Sequence, residues 1–431
     1  MNLVHFLRDG LREILRGPPL YWAWVGFLGL VFAAGVWFYV GQLQQGLMVT
    51  NMTNQVSWGL YIANFTFLVG VAAAAVMLVV PAYIFHREDV KDVVLLGDTL
   101  AIAAVVMAML FIVVDLGRPD RVWHLIPFLG RFNFPVSLLA WDVVVLNGYL
   151  VLNLGISFYI LYSHYRGRQP RLRNYFPFVL IAIFWAISIH TVTAFLFTAS
   201  HGRPFWDTPL LAPRFIASAF ASGPAISIIA LQIVRRLSSY PVRQSAIDTL
   251  ALVMAVALQV TLFFVLAELF REFYNESHHA LQARYLFFGL DGYDALRPWI
   301  WSALAMLVVA VTILMIHPLR RNALLLNLAC VLTIVGVWIE KGMGLVIPGF
   351  VPTPTGEIWE YTPSLAEVVI SAGIWAAGLL VFTFLAKAAI PVECGRMRAP
   401  GVASHPDACV PRPQEAPAAQ PEAAPAPSTT A

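Results

Sequence analysis

Ten stretches of this chain are each long and apolar enough to cross a lipid bilayer, and no other feature limits its fold as strongly. The hydrocarbon core of a bilayer takes about 20 residues of helix. It offers the backbone no hydrogen-bond partner, so each stretch must close its own bonds as an α-helix. The spans are expected at 20–42, 58–84, 92–114, 134–162, 175–198, 213–233, 245–270, 297–316, 322–348 and 364–390. Only 12% of the 431 residues are charged, roughly half the share in a soluble domain. The chain therefore reads as an all-α, multi-pass membrane protein.

Two segments flank this 20–390 domain. In residues 1–19, Leu3, Phe6, Leu7, Leu11, Ile14 and Leu15 can share a face opposite Arg8, Arg12 and Arg16. That pattern suits a helix lying in the membrane interface rather than a cleaved signal. Residues 391–431 turn to Ala/Pro low complexity, as in "QEAPAAQPEAAPAPSTTA", and are expected to be a disordered tail. Lys and Arg crowd into alternate connections ("HYRGRQPRLR", "RRLSSYPVR", "HPLRR") and the two termini. By the positive-inside rule both termini lie in the cytoplasm. The outer connections then include "DLGRPDRVWHLIPFLGRFNFP" and "REFYNESHHALQARYLFFGLDGYDALRPW", whose length and mixed charge suit docking to a partner protein. Interfacial packing of their aromatic residues is the plainer alternative.

Ionisable groups inside a bilayer are costly and usually face a cavity or a partner. Here they collect towards the outer face: Asn64, Asp115, Asp142, His190, Glu268, and Glu340 with Lys341. Ser222, Gly223 and Pro224 fall near the middle of the sixth span, where a kink is expected. Asp98, Thr99, Asn147, Asn153 and Asp248 lie nearer the cytoplasm, as a stepped proton path or as hydrogen-bond glue between helices. Three cysteines are too few to hold an iron–sulfur cluster. A membrane b-haem needs two histidines at matching depth on facing helices. Only His190 is well inside, and His201 lies about 16 Å further along. No metal site is expected and an intrinsic haem is disfavoured, a haem b-bearing cytochrome subunit standing as an alternative reading. His190 is left with proton chemistry, Asp142 lying at similar depth, or with a backbone carbonyl as partner.

Four stretches carry a resemblance: "NQVSWGLYIANFTFLVGVAAAA", "DLGRPDRVWHL", "FNFPVSLLAWDVVVLNGYL" and "IPGFVPTPTGEIWEYTPSLAEVVISAGIWAAG". They resemble the NrfD/PsrC family of quinone-interacting membrane subunits, most closely its DsrP/HmeB branch, from the DsrMKJOP sulfur-metabolism complex. The resemblance implies a subunit of the bacterial inner membrane, inactive alone, that exchanges electrons between menaquinone or ubiquinone and a periplasmic, DsrO-like iron–sulfur subunit. It further implies membrane and multihaem partners, and protein and lipid rather than nucleic acid as contacts. Its quinone lies near the outer face between spans 2 to 6, tail toward lipid, with His190 and Asp142 exchanging protons, helped by Asp115 or Glu268, and Asn64 or Tyr61 on a carbonyl. Arg118 and Arg121, with His124, His201 and Arg203, brace the docking surface, although arginines there also suit lipid headgroups or pairing with Asp115 and Asp120. Ten spans and buried charges are equally typical of secondary transporters. A visible internal repeat is absent, and the polar groups lie to one side.

Overall fold

The computed structural model describes residues 2–126, 128–238, 240–274 and 280–404. Among them, ten helices are long and apolar enough to span a membrane, one for each expected stretch. They are α2 (Pro19–Gln45), α3 (Leu60–Ile84), α4 (Val94–Asp115), α5 (Leu138–Tyr165), α6 (Leu172–Thr198), α7 (Leu211–Leu237), α8 (Gln244–Tyr274), α10 (Arg297–Met315), α11 (Ala323–Val346) and α12 (Leu365–Glu393). The shorter α1 (Asn2–Ile14) and α9 (Ala280–Phe288) lie outside the spans.

Several ends are fixed by local chemistry. Ser364 accepts from the Glu367 amide while Glu367 reaches back to the Ser364 amide, a capping box that starts α12. Ser137 and Asn322 cap α5 and α11 in the same sense. α7 stays helical through Ser222–Gly223–Pro224, and Ser222 Oγ donates to Ser218 O at 3.0 Å. The proline removes one amide donor without ending the helix.

Helix α3 is the hub, with every residue from Leu60 to Ala72 buried. It packs on α4, α7, α11, α6 and α12. Helices α3–α6 form one group and α7, α8, α10 and α11 a second, joined through α3 and α7. α2 lies outside, paired with α12, which also rests on α4. We call one end of the bundle the long-loop end, after the 116–137 and 275–296 connections, and the other the short-loop end.

At the short-loop end α1 lies against α5. Phe6 meets the rings of Phe158, Tyr162 and Tyr165 at 5.2–5.8 Å, and Tyr165 Oη donates to Asp9 at 2.7 Å. Leu3, Leu7 and Leu11 stay exposed. The chain beyond 390 does not leave the bundle at once. Glu393 meets His164 at 2.6 Å, and the Ala399 amide donates to Tyr165 O at 2.8 Å. Val392, Met397 and Ala399 pack on Tyr165, because the apolar residues before the Ala/Pro run still have a surface to bury. The rest of the expected tail, 405–431, and His278 and His279 lie outside the described residues.

The α2–α12 pair depends on two glycines. A Cβ placed on Gly35 would sit 2.7 Å from Gly373 Cα, backbone against backbone, so nothing flexible can yield. Gly35→Ala should cost about 1–3 kcal/mol and lower the melting temperature in detergent. Gly29→Ala on the same helix, with no atom within 4 Å of the new carbon, should melt as wild type.

Candidate functional site

Asn64 stands in the apolar run of α3 and is 3% exposed. Its Nδ2 donates to Leu60 O at 2.8 Å. Its Oδ1 accepts two indole N–H groups, from Trp338 on α11 and Trp375 on α12, both at 3.0 Å. Two donors from different helices fix the amide's orientation and tie α3, α11 and α12 together. Between them lies a cleft of about 310 Å³, lined by Asn64, Phe67, Trp338, Ser371, Trp375 and the aliphatic Leu60, Ile334, Val335 and Val368. Val335 and Val368 are exposed, so its mouth faces lipid. Ser371 Oγ is buried without a partner.

Above this cleft, at the long-loop end, polar groups interlock. Tyr61 Oη donates to Gln42 Oε1 at 2.8 Å, and Gln42 Nε2 donates to Val114 O at 2.6 Å. Glu367 accepts the Asn51 amide at 3.0 Å, the Ser364 amide at 2.8 Å and the Tyr361 hydroxyl. Burial and the Glu367 carboxylate hold the Tyr361 hydroxyl above its usual pKa, so it remains a donor. Asp115 Oδ1 is buried here without a partner.

A second group joins α7, α8 and α11. The Arg214 guanidinium pairs with both Glu268 and Glu340, all three buried. Lys341, 3% exposed, places Nζ 4.2 Å from the Phe215 ring centre and 3.4 Å from Phe215 O. A π-helical turn over Trp338–Met343 lets neighbouring residues serve different partners. Trp338 faces Asn64, Glu340 faces Arg214 and Lys341 reaches towards Gly70. Among the described residues, Glu272 Oε2 and Glu340 Oε2 have no partner.

Asp142 faces α6, where its partner Thr193 stands three residues beyond His190. His190 Nδ1 lies 2.8 Å from Ala186 O. A carbonyl only accepts, so Nδ1 carries the hydrogen and Nε2, buried and without a partner, is the exchangeable nitrogen. Thr193, one turn on, donates to Asp142 Oδ1 at 3.3 Å, while Asp142 Oδ2 is unpartnered. Among the described residues, no hydrogen bond joins His190 to Asp142 or either to Asn64.

The expected cytoplasmic-half groups divide. Ser157 donates to Asp98 Oδ2 at 3.2 Å, Asn153 to Tyr149 O at 2.8 Å, and Tyr149 Oη to Ala72 O at 3.2 Å. Asp98, Tyr149 and Asn153 line a void of about 20 Å³. Thr99 bonds its own helix at Leu96 O, and Asn147 is exposed and bonds Val143 O. Asp248 accepts from Gln244 near the short-loop end of α8. Those three stand apart from the string.

On the long-loop surface, Arg118 pairs with Asp120 at 3.1 Å, and this bond lowers the Asp120 pKa. Arg121 and His201 are exposed, and His124 stacks on Trp123 at 3.8 Å. Arg203 is turned inward, its guanidinium 4.7 Å from the Phe350 ring centre, within a cluster where Trp58 stacks on Trp206. Among the described residues, no three of His, Cys, Asp or Glu gather as metal ligands.

Sequence reasoning singled out Asn64 but missed Trp338, Trp375 and Ser371 beside it, and missed Arg214 altogether. Tryptophans near span ends read as interfacial, and Arg214 stands where a loop charge is expected. The signal that could have found Arg214 is its partners, Glu268 and Glu340, placed at the same depth.

Fold and site together define a polytopic helical membrane protein with a partly polar cleft open sideways to lipid. A family model described as "Polysulphide reductase, NrfD" matches residues 48–352, and the chain belongs to the NrfD family. It is similar to the Hdr-like menaquinol oxidoreductase integral membrane subunit of Archaeoglobus fulgidus, 25% identical over 84% of this chain and 91% of that protein. It is also similar to a selenate reductase subunit of Mesobacillus selenatarsenatis, 22% identical over 84% of this chain and 92% of that one. The menaquinone reductase integral membrane subunit of Nitratidesulfovibrio vulgaris is 22% identical over 84% of this chain and 88% of its own length.

Arg214 is the ion-pair partner of two buried carboxylates, so Arg214→Ala removes the cation bonded to both. Breaking such a pair costs about 3–5 kcal/mol. Melting of the purified protein in detergent should drop accordingly, and Arg214→Ala combined with Glu268→Gln and Glu340→Gln should recover most of the loss.

Proposed function

We propose that this chain is the quinone-handling membrane subunit of a multi-subunit oxidoreductase, and that the quinone ring occupies the cleft between α3, α11 and α12. The observation that carries this reading is the cleft's chemistry. It is mostly apolar, opens to lipid where a quinone resides, and holds at its wall an anchored amide and an unpartnered hydroxyl. A volume of about 310 Å³ is within the usual range for ligand pockets, about 300–1,000 Å³. Asn64 Nδ2 gives one hydrogen to Leu60 O and keeps the other for a quinone oxygen, and Ser371 Oγ can donate to or accept from a quinone or quinol oxygen. Tyr61 supports the wall through Gln42 rather than reaching the ring.

Reduction of a quinone consumes two electrons and two protons, and oxidation of a quinol releases them. In this reading the electrons pass to an iron–sulfur subunit seated on the long-loop end, around Arg118, Arg121, His124 and His201, with Arg203 bracing the aromatic floor beneath. The long-loop end faces the periplasm and both termini face the cytoplasm. His190 and Asp142, with Glu268 and Asp115, exchange protons, and Asp98 with Asn153 and Tyr149 extends a proton path towards the short-loop end. The relatives named for menaquinol and menaquinone chemistry support a quinone of that type. The DsrP/HmeB branch, a DsrO-like partner and a place in sulfur metabolism rest on resemblance of the four quoted stretches.

Binding of the fluorescent quinone analogue 2-heptyl-4-hydroxyquinoline N-oxide to the purified complex tests the cleft. Asn64→Leu and Ser371→Val should each weaken binding by about tenfold, roughly 1.4 kcal/mol, with assembly retained. Wild-type affinity in both assembled variants would place the quinone elsewhere.

A further inference from the structure

The two polar groups that the cleft offers to a ligand stand on different helices, Asn64 Nδ2 on α3 and Ser371 Oγ on α12. A quinone carries its two oxygens at opposite ends of one rigid ring. Gripping both at once requires the two walls to be held at a set spacing, because hydrogen bonds weaken steeply with distance and misalignment. Towards the middle of the membrane the walls are tied by Asn64 itself, whose Oδ1 accepts the Trp375 indole at 3.0 Å.

At the long-loop end they are tied by one hydroxyl. Tyr361, in the connection before α12, accepts the Leu60 amide on its Oη at 2.9 Å and donates to Glu367 Oε1. Leu60 opens α3 and lines the cleft, and its carbonyl is the group to which Asn64 Nδ2 is bonded, at 2.8 Å. Glu367 stands in the first turn of α12, beside Val368 and one turn before Ser371, both of which line the cleft. The Tyr361 hydroxyl therefore accepts from one wall and donates to the other.

The local sequence makes room for this bridge. The first amides of a helix have no partner within it, and Gly59, which precedes Leu60, has no side chain to supply one. A Cβ on Gly59 would overlap the hydroxyl and ring of Tyr361, so the glycine admits the tyrosine. Glu367 is held in turn by the Asn51 and Ser364 amides, and the Asn51 side chain donates to Thr362 O at 2.9 Å. Tyr361 and Glu367 are both buried. A cap for α3 needs only an acceptor at Leu60. The tyrosine adds a donor aimed at the opposite wall.

We propose that Tyr361 is a positioning residue for the quinone. By joining Leu60 to Glu367 it sets the spacing of Asn64 Nδ2 and Ser371 Oγ, so that both reach the oxygens of one ring. The inference rests on the quinone reading above. Tyr361 is not among the residues that line the cleft, and it acts through Leu60 on one wall and α12 on the other.

The test is a set of double-mutant cycles on binding of 2-heptyl-4-hydroxyquinoline N-oxide, which carries oxygens at opposite ends of one ring, to the purified complex. Tyr361→Phe keeps the ring over Gly59 and removes the hydroxyl. It should weaken binding about fivefold, the effect of one misaligned hydrogen bond. In the Asn64→Leu or Ser371→Val background the same change should weaken binding by less than about twofold, because with one bond already lost the spacing no longer matters. Gly59→Ala displaces the hydroxyl while leaving it in the chain. It should reproduce both results, and it decides the question if the Tyr361→Phe complex does not assemble. Wild-type affinity in the assembled Tyr361→Phe or Gly59→Ala complex overturns the proposal. So does the same loss repeated in every background, the mark of a residue that only stabilises the fold. Failure of the quinone reading has a different signature, wild-type affinity in both Asn64→Leu and Ser371→Val.

Discussion

The interaction on which the rest of this structure depends is the double ion pair of Arg214. Three helices, the consecutive α7 and α8 and the distant α11, meet at one guanidinium. Removing charges from water costs several kcal/mol each, and only a close, multiply bonded partner offsets it. A planar guanidinium presents donors in several directions at once, which suits it to bridge two carboxylates where an ammonium would not. This pairing fixes the rotation of α11 about its axis. Because Trp338 and Lys341 lie within a turn of Glu340, it sets both the wall of the cleft and the depth of the buried amine.

Asn64 does on the other side of α3 what Arg214 does on its own. In hydrocarbon, helices gain nothing by merely excluding water from one another, so close packing and interhelical hydrogen bonds give them specificity. The two indoles converge on one amide oxygen from helices that are distant in sequence. The cost is a rigid, bulky corner that neighbouring side chains cannot fill, and the cleft is that unfilled corner. Its mouth opens to lipid because α2, which could have covered it, pairs instead with α12 through Gly35 and Gly373.

The spans were legible in the sequence because the bilayer imposes one length and one backbone solution on each. The polar residues were legible as a set, because an Asn, His or Asp in an apolar run stands out without any knowledge of its neighbours. Their partners were not. Depth follows from counting along a helix, but the direction a side chain faces depends on helix rotation. The π turn at Trp338–Met343 breaks the periodicity from which that rotation would be read. Asn147 shows the limit plainly, since its depth suits the proton path, yet it is exposed and bonds its own helix. Asn153, less than two turns away, points inward and joins Tyr149. The packing past residue 390 was hidden for a related reason, because Met397 and Ala399 find a surface on Tyr165 that composition does not reveal.

The two polar strings approach each other on α3. From the long-loop end the last group is Lys341, beside Gly70, and from the short-loop end it is Tyr149, whose hydroxyl reaches the Ala72 carbonyl. Gly70 and Ala72 are two residues apart, on different sides of the helix, so α3 itself is the barrier between them. Small side chains here let both polar groups come close to the backbone without meeting. A larger residue at 70 would push Lys341 back, since the nearest atom to a Cβ there is its Nζ. The width of one helix separates the two strings. The same helix carries Asn64, so whatever fills the cleft bears directly on that barrier.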